Sequence, residues 1–196
     1  MSDVPGRPAT RSPAPDPAET LSAIVGRILT GLIERGARDE ALAVPKAGRG
    51  IGPFRASSSM SPVGRAWRLG VLLVDRDGRL YATGKLTRAV EPGRPQGFSA
   101  MVEQRRADRM AASRGKFVEG EVVNYEWTPL TTDSESLRLG SGPLSVGEAG
   151  STREGAILVR WSATVPDRRM LEPYLEERAA LLDLESTFDP GATPEG

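Results

Sequence analysis

The stretch from Ala66 to Ala89 narrows the fold of this chain more than any other. Two apolar runs, Ala66–Val74 (AWRLGVLLV) and Leu80–Ala89 (LYATGKLTRA), flank Asp75-Arg76-Asp77-Gly78. Asp-Gly between such runs is a strong hairpin signal, because glycine supplies the positive φ that tight turns require. The two runs are expected to pair as antiparallel strands. Trp67, Leu69, Val71 and Leu73 alternate at the strand period, which predicts one buried face. Leu72 and Val74 predict that part of the opposite face is covered as well.

Helical periodicity surrounds this hairpin. Leu21, Ile24, Val25, Ile28, Leu29, Leu32 and Ile33 form one continuous stripe, with Asp16 or Thr20 as the expected cap and Gly36 as the stop. Such a stripe faces either the core or a second copy of the chain. Ser99 is placed to cap a helix running to about Ser113, ended by Gly115. A last helix is expected from about Met170 to Glu185, with Leu171, Tyr174, Leu175, Leu181 and Leu182 apolar and Pro173 in its first turn. Further strands are expected at 117–127, bulged at Gly120, and at 156–162. Residues 128–154 read as irregular with a strand near Leu137, and Val44–Gly64, rich in Gly, Ser and Pro, reads as a loop. The fold class is therefore α+β: a mostly antiparallel sheet built around the hairpin at about 66–89, with three helices packed on it.

Residues 1–17 contain five prolines and almost nothing apolar, the composition of a disordered tail. A single α+β domain is expected over 18–187, followed by a second disordered tail at 188–196. No apolar run approaches the ~18 residues that span a bilayer, and the N-terminus has no apolar leader, so a cytoplasmic location without a membrane partner is expected.

The chain has no cysteine and no histidine. Disulfides, thiolate chemistry, Ser-His-Asp and Cys-His mechanisms and zinc fingers are excluded by composition. An enzyme of this composition would depend on Ser, Lys, Tyr, Arg or carboxylates. Short motifs do not fill the gap. Gly48-Arg-Gly-Ile-Gly52 lacks the spacing, the preceding strand and the following helix of a dinucleotide loop. Ser113-Arg-Gly-Lys116 has the S-x-x-K spacing, but Gly115 breaks the helix that would align the pair. Asp75-x-Asp77-Gly78 resembles the start of a calcium loop, yet its twelfth position is Leu86 rather than the required Glu. Glu119, Glu121 and Glu126 are available carboxylates, and Trp67, Tyr81, Tyr125 and Trp127 are expected in the core. No cofactor and no metal are expected.

Charge distribution is more informative. Arginine outnumbers lysine 23 to 3, a pattern consistent with GC-rich bacterial coding. Residues 46–116 carry fifteen basic and five acidic residues (+10), residues 1–45 carry −1 and residues 117–196 carry −9, which sum to zero. Within the basic segment, Arg49, Arg55, Arg65 and Arg68 form one candidate binding cluster, and Arg105, Arg106 and Arg109 on the middle helix form another. Guanidinium groups pair bidentately with phosphate and carboxylate. The reading that follows is a non-enzymatic binding or interaction module presenting a basic surface from residues 46–116. Its partner would be nucleic acid, a phosphate-bearing ligand or an acidic protein, and a homodimer is a further option. The alternative is a small hydrolase or transferase using Ser, Lys or carboxylates. Masking of the arginines by the acidic helix that carries Glu172, Glu176 and Glu177 would leave neither cluster accessible.

Overall fold

A computed structural model describes residues 15–48, 58–93, 99–140 and 142–187, with backbone alone for 183–187. Helix α1 spans Pro17–Glu34. Asp16 caps it by accepting from the amides of Ala18 and Glu19, and Pro17 occupies the first turn, where its missing N–H does no harm. Asp16 and Pro17, expected in the tail, thus belong to the start of the helix. Leu21, Ile24, Val25, Leu29 and Leu32 are buried, so the stripe is spent on the chain's own core. Ile33, at the stripe's edge, remains exposed.

Seven strands follow the order β5-β6-β1-β2-β3-β4-β7: β1 (Glu40–Lys46), β2 (Ser59–Leu69), β3 (Leu72–Asp75), β4 (Leu80–Ala82), β5 (Lys85–Arg88), β6 (Val122–Tyr125) and β7 (Thr128–Pro129). Every pair is antiparallel except β1–β6. The two ends of the sheet are the same chain. Tyr81 faces Pro129 and Lys85 faces Tyr125, so β4–β5 and β6–β7 run as one antiparallel ladder, interrupted only at 83–84 and 126–127. Since β4 also pairs with β3, and β6 with β1, the sheet closes on itself as a small barrel of five chain segments.

Residues directly opposite each other in a ladder share a face. Leu42 opposes Gly64 and Asn124, and Leu73 opposes Arg68 and Tyr81, which places these side chains on the inner face. The interior is small: Leu42, Ala66 and Leu73 pack with Tyr81 and Trp127, whose rings meet edge to face at 5.0 Å. Outside, Trp67, Leu69, Leu72, Val74 and Leu80 meet the stripe of α1. This main core also takes in α3 (Ser134–Leu139), α4 (Leu171–Thr187) and a three-stranded antiparallel sheet of β8 (Leu144–Val146), β9 (Ile157–Val159) and β10 (Arg169–Met170). A second outer patch, Ala41, Ala43, Met60, Val123 and Tyr125, is covered by Ala111 and Ala112 of α2 (Ala100–Ser113). Ser99 caps α2 through the Val102 amide, as its sequence predicts.

The α+β class stands, with four helices rather than three and one parallel pair in the sheet. Four local expectations are corrected. The run 66–74 is two strands, because Leu69 opposes Leu72 across a turn at Gly70, whose φ of +66° suits a tight hairpin. The reversal puts Trp67, Leu69, Leu72 and Val74 on the outer face and sends Leu73 inside, so Trp67, Leu69, Val71 and Leu73 do not share a face. Second, much of the expected loop at 44–64 is strand. Its Ser-Pro-Gly content hides the pattern, and Pro62 is accommodated where the register shifts between Leu42 and Ala43. Third, only Val122–Tyr125 of 117–127 is strand; Gly120, at φ +81°, belongs to a turn before it. Fourth, Leu137 is buried on helix α3, which Asp133 and Gly140 cap, and not on a strand.

Two substitutions check this architecture. A Cβ on Gly70 would lie 2.0 Å from the Tyr174 hydroxyl, which itself accepts from the Val71 amide. Gly70→Ala is expected to lower the unfolding free energy by at least about 2 kcal/mol in denaturant titrations, combining left-handed strain with that clash. Leu73→Ala empties part of the barrel interior and is expected to cost about 2–5 kcal/mol; a cost below about 1 kcal/mol would contradict its inward placement.

Candidate functional site

The basic segment does not present its charge uniformly. Arg49 and Arg55 lie outside the described residues. Arg65 and Arg68 leave β2 on opposite faces, being three residues apart on a strand. Arg65, on the outer face, binds the Asp39 carboxylate at 2.6 Å and Glu121 at 2.5 Å. These contacts, that with Asp39 foremost, raise the pKa of its guanidinium above the usual value. Asp39 also takes Arg76, at 3.1 Å, and the Arg76 guanidinium lies over the Trp67 ring at 5.6 Å.

Arg68 points inward. Its Nη1 donates to Asn124 Oδ1 at 2.7 Å, and Asn124 Nδ2 donates to Glu40 at 2.7 Å. Asn124 is fully buried, and this chain of hydrogen bonds satisfies its amide inside the barrel. Of the remaining cations, Arg79 is engaged by Asp75 and Asp77, and Lys85 by Glu126.

Helix α2 is different. Arg105 and Arg109 are exposed one turn apart, and among the described residues neither forms an ion pair. Arg106 is half-buried, and its Nε is sealed without a hydrogen-bond partner. The helix buries only Ala111 and Ala112. Asp108, which accepts from Gln104 of the same helix at 2.9 Å, ties α2 to β6 through the Tyr125 hydroxyl. Burial, and then that hydrogen bond, push the Tyr125 pKa far upward. Residues 100–116 carry five basic side chains against Glu103 and Asp108.

The acidic C-terminal helix does not mask this face. Glu172 of α4 pairs with Arg27 of α1, and Glu177 pairs with Arg169 and Arg178. The other candidate groups serve structure. Ser113 donates its hydroxyl to the Met110 carbonyl at the end of α2, and Lys116 lies beyond the helix. Asp75 holds its own turn by accepting from the amides of Asp77 and Arg79 and from the Tyr81 hydroxyl. Burial, followed by that contact, raises the Tyr81 pKa. Trp67 is buried and donates to the Ala37 carbonyl, and Trp127 donates to that of Ala43.

A feature outside the basic segment was not legible in the sequence. A cleft of about 560 Å³ opens between the C-terminal end of α3, strand β8, the loop after it and the segment leading into β10. Arg138, Arg153 and Arg168 line it, with Ser145 in its wall. These positions are scattered through a segment of net negative charge and share no motif. Burial, and then the like charge of Arg160, lower the Arg168 pKa, and its Nη1 is sealed without a partner.

Comparison with known proteins adds no relative: no family model, no curated protein and no solved structure matches this chain.

The interior hydrogen-bond chain carries a direct prediction. Asn124→Ala leaves a donor of Arg68 and an acceptor of Glu40 without their partner in the barrel. The expected loss is about 1–3 kcal/mol of unfolding free energy, the range for orphaned buried polar groups. Urea titration measures it; a change within about 0.3 kcal/mol would show that water replaces the bonds, as at an exposed surface site.

Proposed function

We propose that this protein is a non-enzymatic binding module that presents the exposed face of α2 to a polyanion, with Arg105 and Arg109 as the principal contacts and Arg106 beside them. The observation that carries this reading is a contrast within one basic segment. Arg65, Arg76, Arg79 and Lys85 each have a carboxylate at ion-pair distance, whereas Arg105 and Arg109, like Lys46, Arg88, Arg114 and Lys116, have none among the described residues, and these two stand one turn apart on one exposed helix face. Charge already paired inside the fold contributes little to an external partner; unpaired charge on an exposed helix face remains available to phosphates. Arg65 and Arg68 therefore leave the contact surface and become structural residues in this reading. Nucleic acid is the partner class favoured, since a row of arginines along a helix reads phosphate spacing without any base contact.

Retention on heparin and on double-stranded DNA at about 50 mM salt tests it, since phosphate contacts are strong there. The wild type is expected to be retained and to elute as salt rises. Arg105→Glu combined with Arg109→Glu is expected to abolish retention while leaving the circular dichroism spectrum and melting temperature unchanged, because both side chains are exposed. Arg65→Gln is expected to lower stability and leave retention intact. Flow-through of the wild type at about 50 mM salt would overturn a polyanion partner.

A further inference from the structure

The cleft lined by Arg138, Arg153 and Arg168 lies apart from α2 and poses a separate electrostatic problem. Arg168 is partly buried and has no carboxylate within ion-pair distance among the described residues. Its chain neighbour Asp167 is turned to Arg153, at 3.4 Å, and Arg153 also donates to the Arg168 carbonyl. Arg160, of the same sign, adds its like charge to the surroundings of Arg168 and is itself bonded to the Gly142 carbonyl at 3.2 Å. A partly desolvated cation with a like charge nearby, and no carboxylate at ion-pair distance among the described residues, is unfavourable in isolation.

The walls around Arg168 suit a small acceptor. Ser145 is only 8% exposed, yet its hydroxyl makes no hydrogen bond among the described residues. Gly140, at φ +62°, keeps the corner open between them. A Cβ there would fall 3.2 Å from that of Ser145 and 4.0 Å from Arg168 Nη2. Two acidic residues, Glu148 and Asp167, also line the cleft, but Asp167 is already engaged by Arg153. A volume of about 560 Å³ is that of a site for a metabolite-sized molecule.

We propose that this cleft binds a small oxyanion ligand, a phosphate ester or a carboxylate, through the Arg168 guanidinium with the Ser145 hydroxyl and Arg138 beside it. The bound oxygens supply the countercharge that the chain itself withholds from Arg168, and a guanidinium edge matches either anion with paired N–H donors.

Amide chemical shifts of the full-length protein test this, titrated with inorganic phosphate, with succinate and with sodium chloride at matched ionic strength. Saturable shifts are expected at Gly140, Ser145, Gly147 and Arg168 with phosphate or succinate, while chloride gives none. Whichever anion saturates distinguishes phosphate from carboxylate. Arg168→Gln is expected to weaken that binding by at least about tenfold, the scale of a charge-assisted contact. Ser145→Ala and Arg138→Gln, which keep Arg168 in place, are each expected to weaken it severalfold. They carry the test if Arg168→Gln does not fold. The paired Glu substitutions on α2 are expected to leave this titration unchanged, so its outcome is independent of the polyanion surface. Equal shifts with chloride, absence of saturation by either anion, or undiminished binding in these variants would overturn the proposal.

Discussion

Closure of the barrel rests on a close crossing at Gly84 and Glu126. A Cβ on Gly84 would lie 2.1 Å from the Glu126 carbonyl oxygen, so the chain passes there only because residue 84 has no side chain. Opposite it, Glu126 takes φ +55°, the one positive value at a non-glycine residue among those described. The kink turns Trp127 inward onto Tyr81, three residues after the inward-facing Asn124, where an unbroken strand would have turned it out. Lys85 bridges the crossing to Glu126 at 2.9 Å. Without that crossing the ladder from Tyr81–Pro129 to Lys85–Tyr125 would not hold one register, and the β4–β5 and β6–β7 segments, paired on their other sides with β3 and β1, would be left as open edges.

Closing the sheet also distributes the charge. A five-segment barrel has room inside for only a few side chains, and here they include Asn124 with Arg68 and Glu40 as well as Leu42, Ala66 and Leu73. The outer wall is divided between two covers. The α1–α4 side carries the large apolar core, whereas α2 shields its patch mainly with Ala111 and Ala112. A helix that contributes so little apolar surface leaves most of its circumference to solvent, and that is where Arg105 and Arg109 stand. The same arrangement directs Glu172 and Glu177 toward Arg27 and Arg169, away from α2. The basic and acidic segments therefore neutralise each other only in part.

Elements governed by local chemistry were legible. The stripe from Leu21 to Leu32, the Ser99 cap, the Asp75–Gly78 turn and the helix after Met170 all follow from spacing and capping, because each depends on residues within a few positions of one another. Elements that depend on distant partners were not. The early half of β2 looks like a loop because Ser59-Met-Ser-Pro-Val-Gly has no alternation. It is strand because β1 supplies its hydrogen bonds. Leu137 sits on a helix whose caps, Asp133 and Gly140, lie in a segment too irregular in composition to announce it. Of the seven arginines singled out, the three on α2 could be placed on one helix from spacing alone. That Arg68 rather than Arg65 would face the inside of a barrel could not be read, since neither the register nor the closure is a local property.

What the sequence by itself determined is the set of chemistries open to this chain and its local grammar: no histidine or cysteine, a basic middle and an acidic end, one apolar helix and one hairpin turn. Which charges remain free was decided only in three dimensions. Asp39 is 26 residues from Arg65 in the chain, and Glu121 is 56. Ion pairing acts through space over a few ångströms, so a net charge counted along a segment does not record which members the fold has already matched. The cleft at Arg168 has the same origin. Its arginines come from separate elements of a segment that is acidic overall, and only the packing of α3 against β8 and the approach to β10 brings them to one wall.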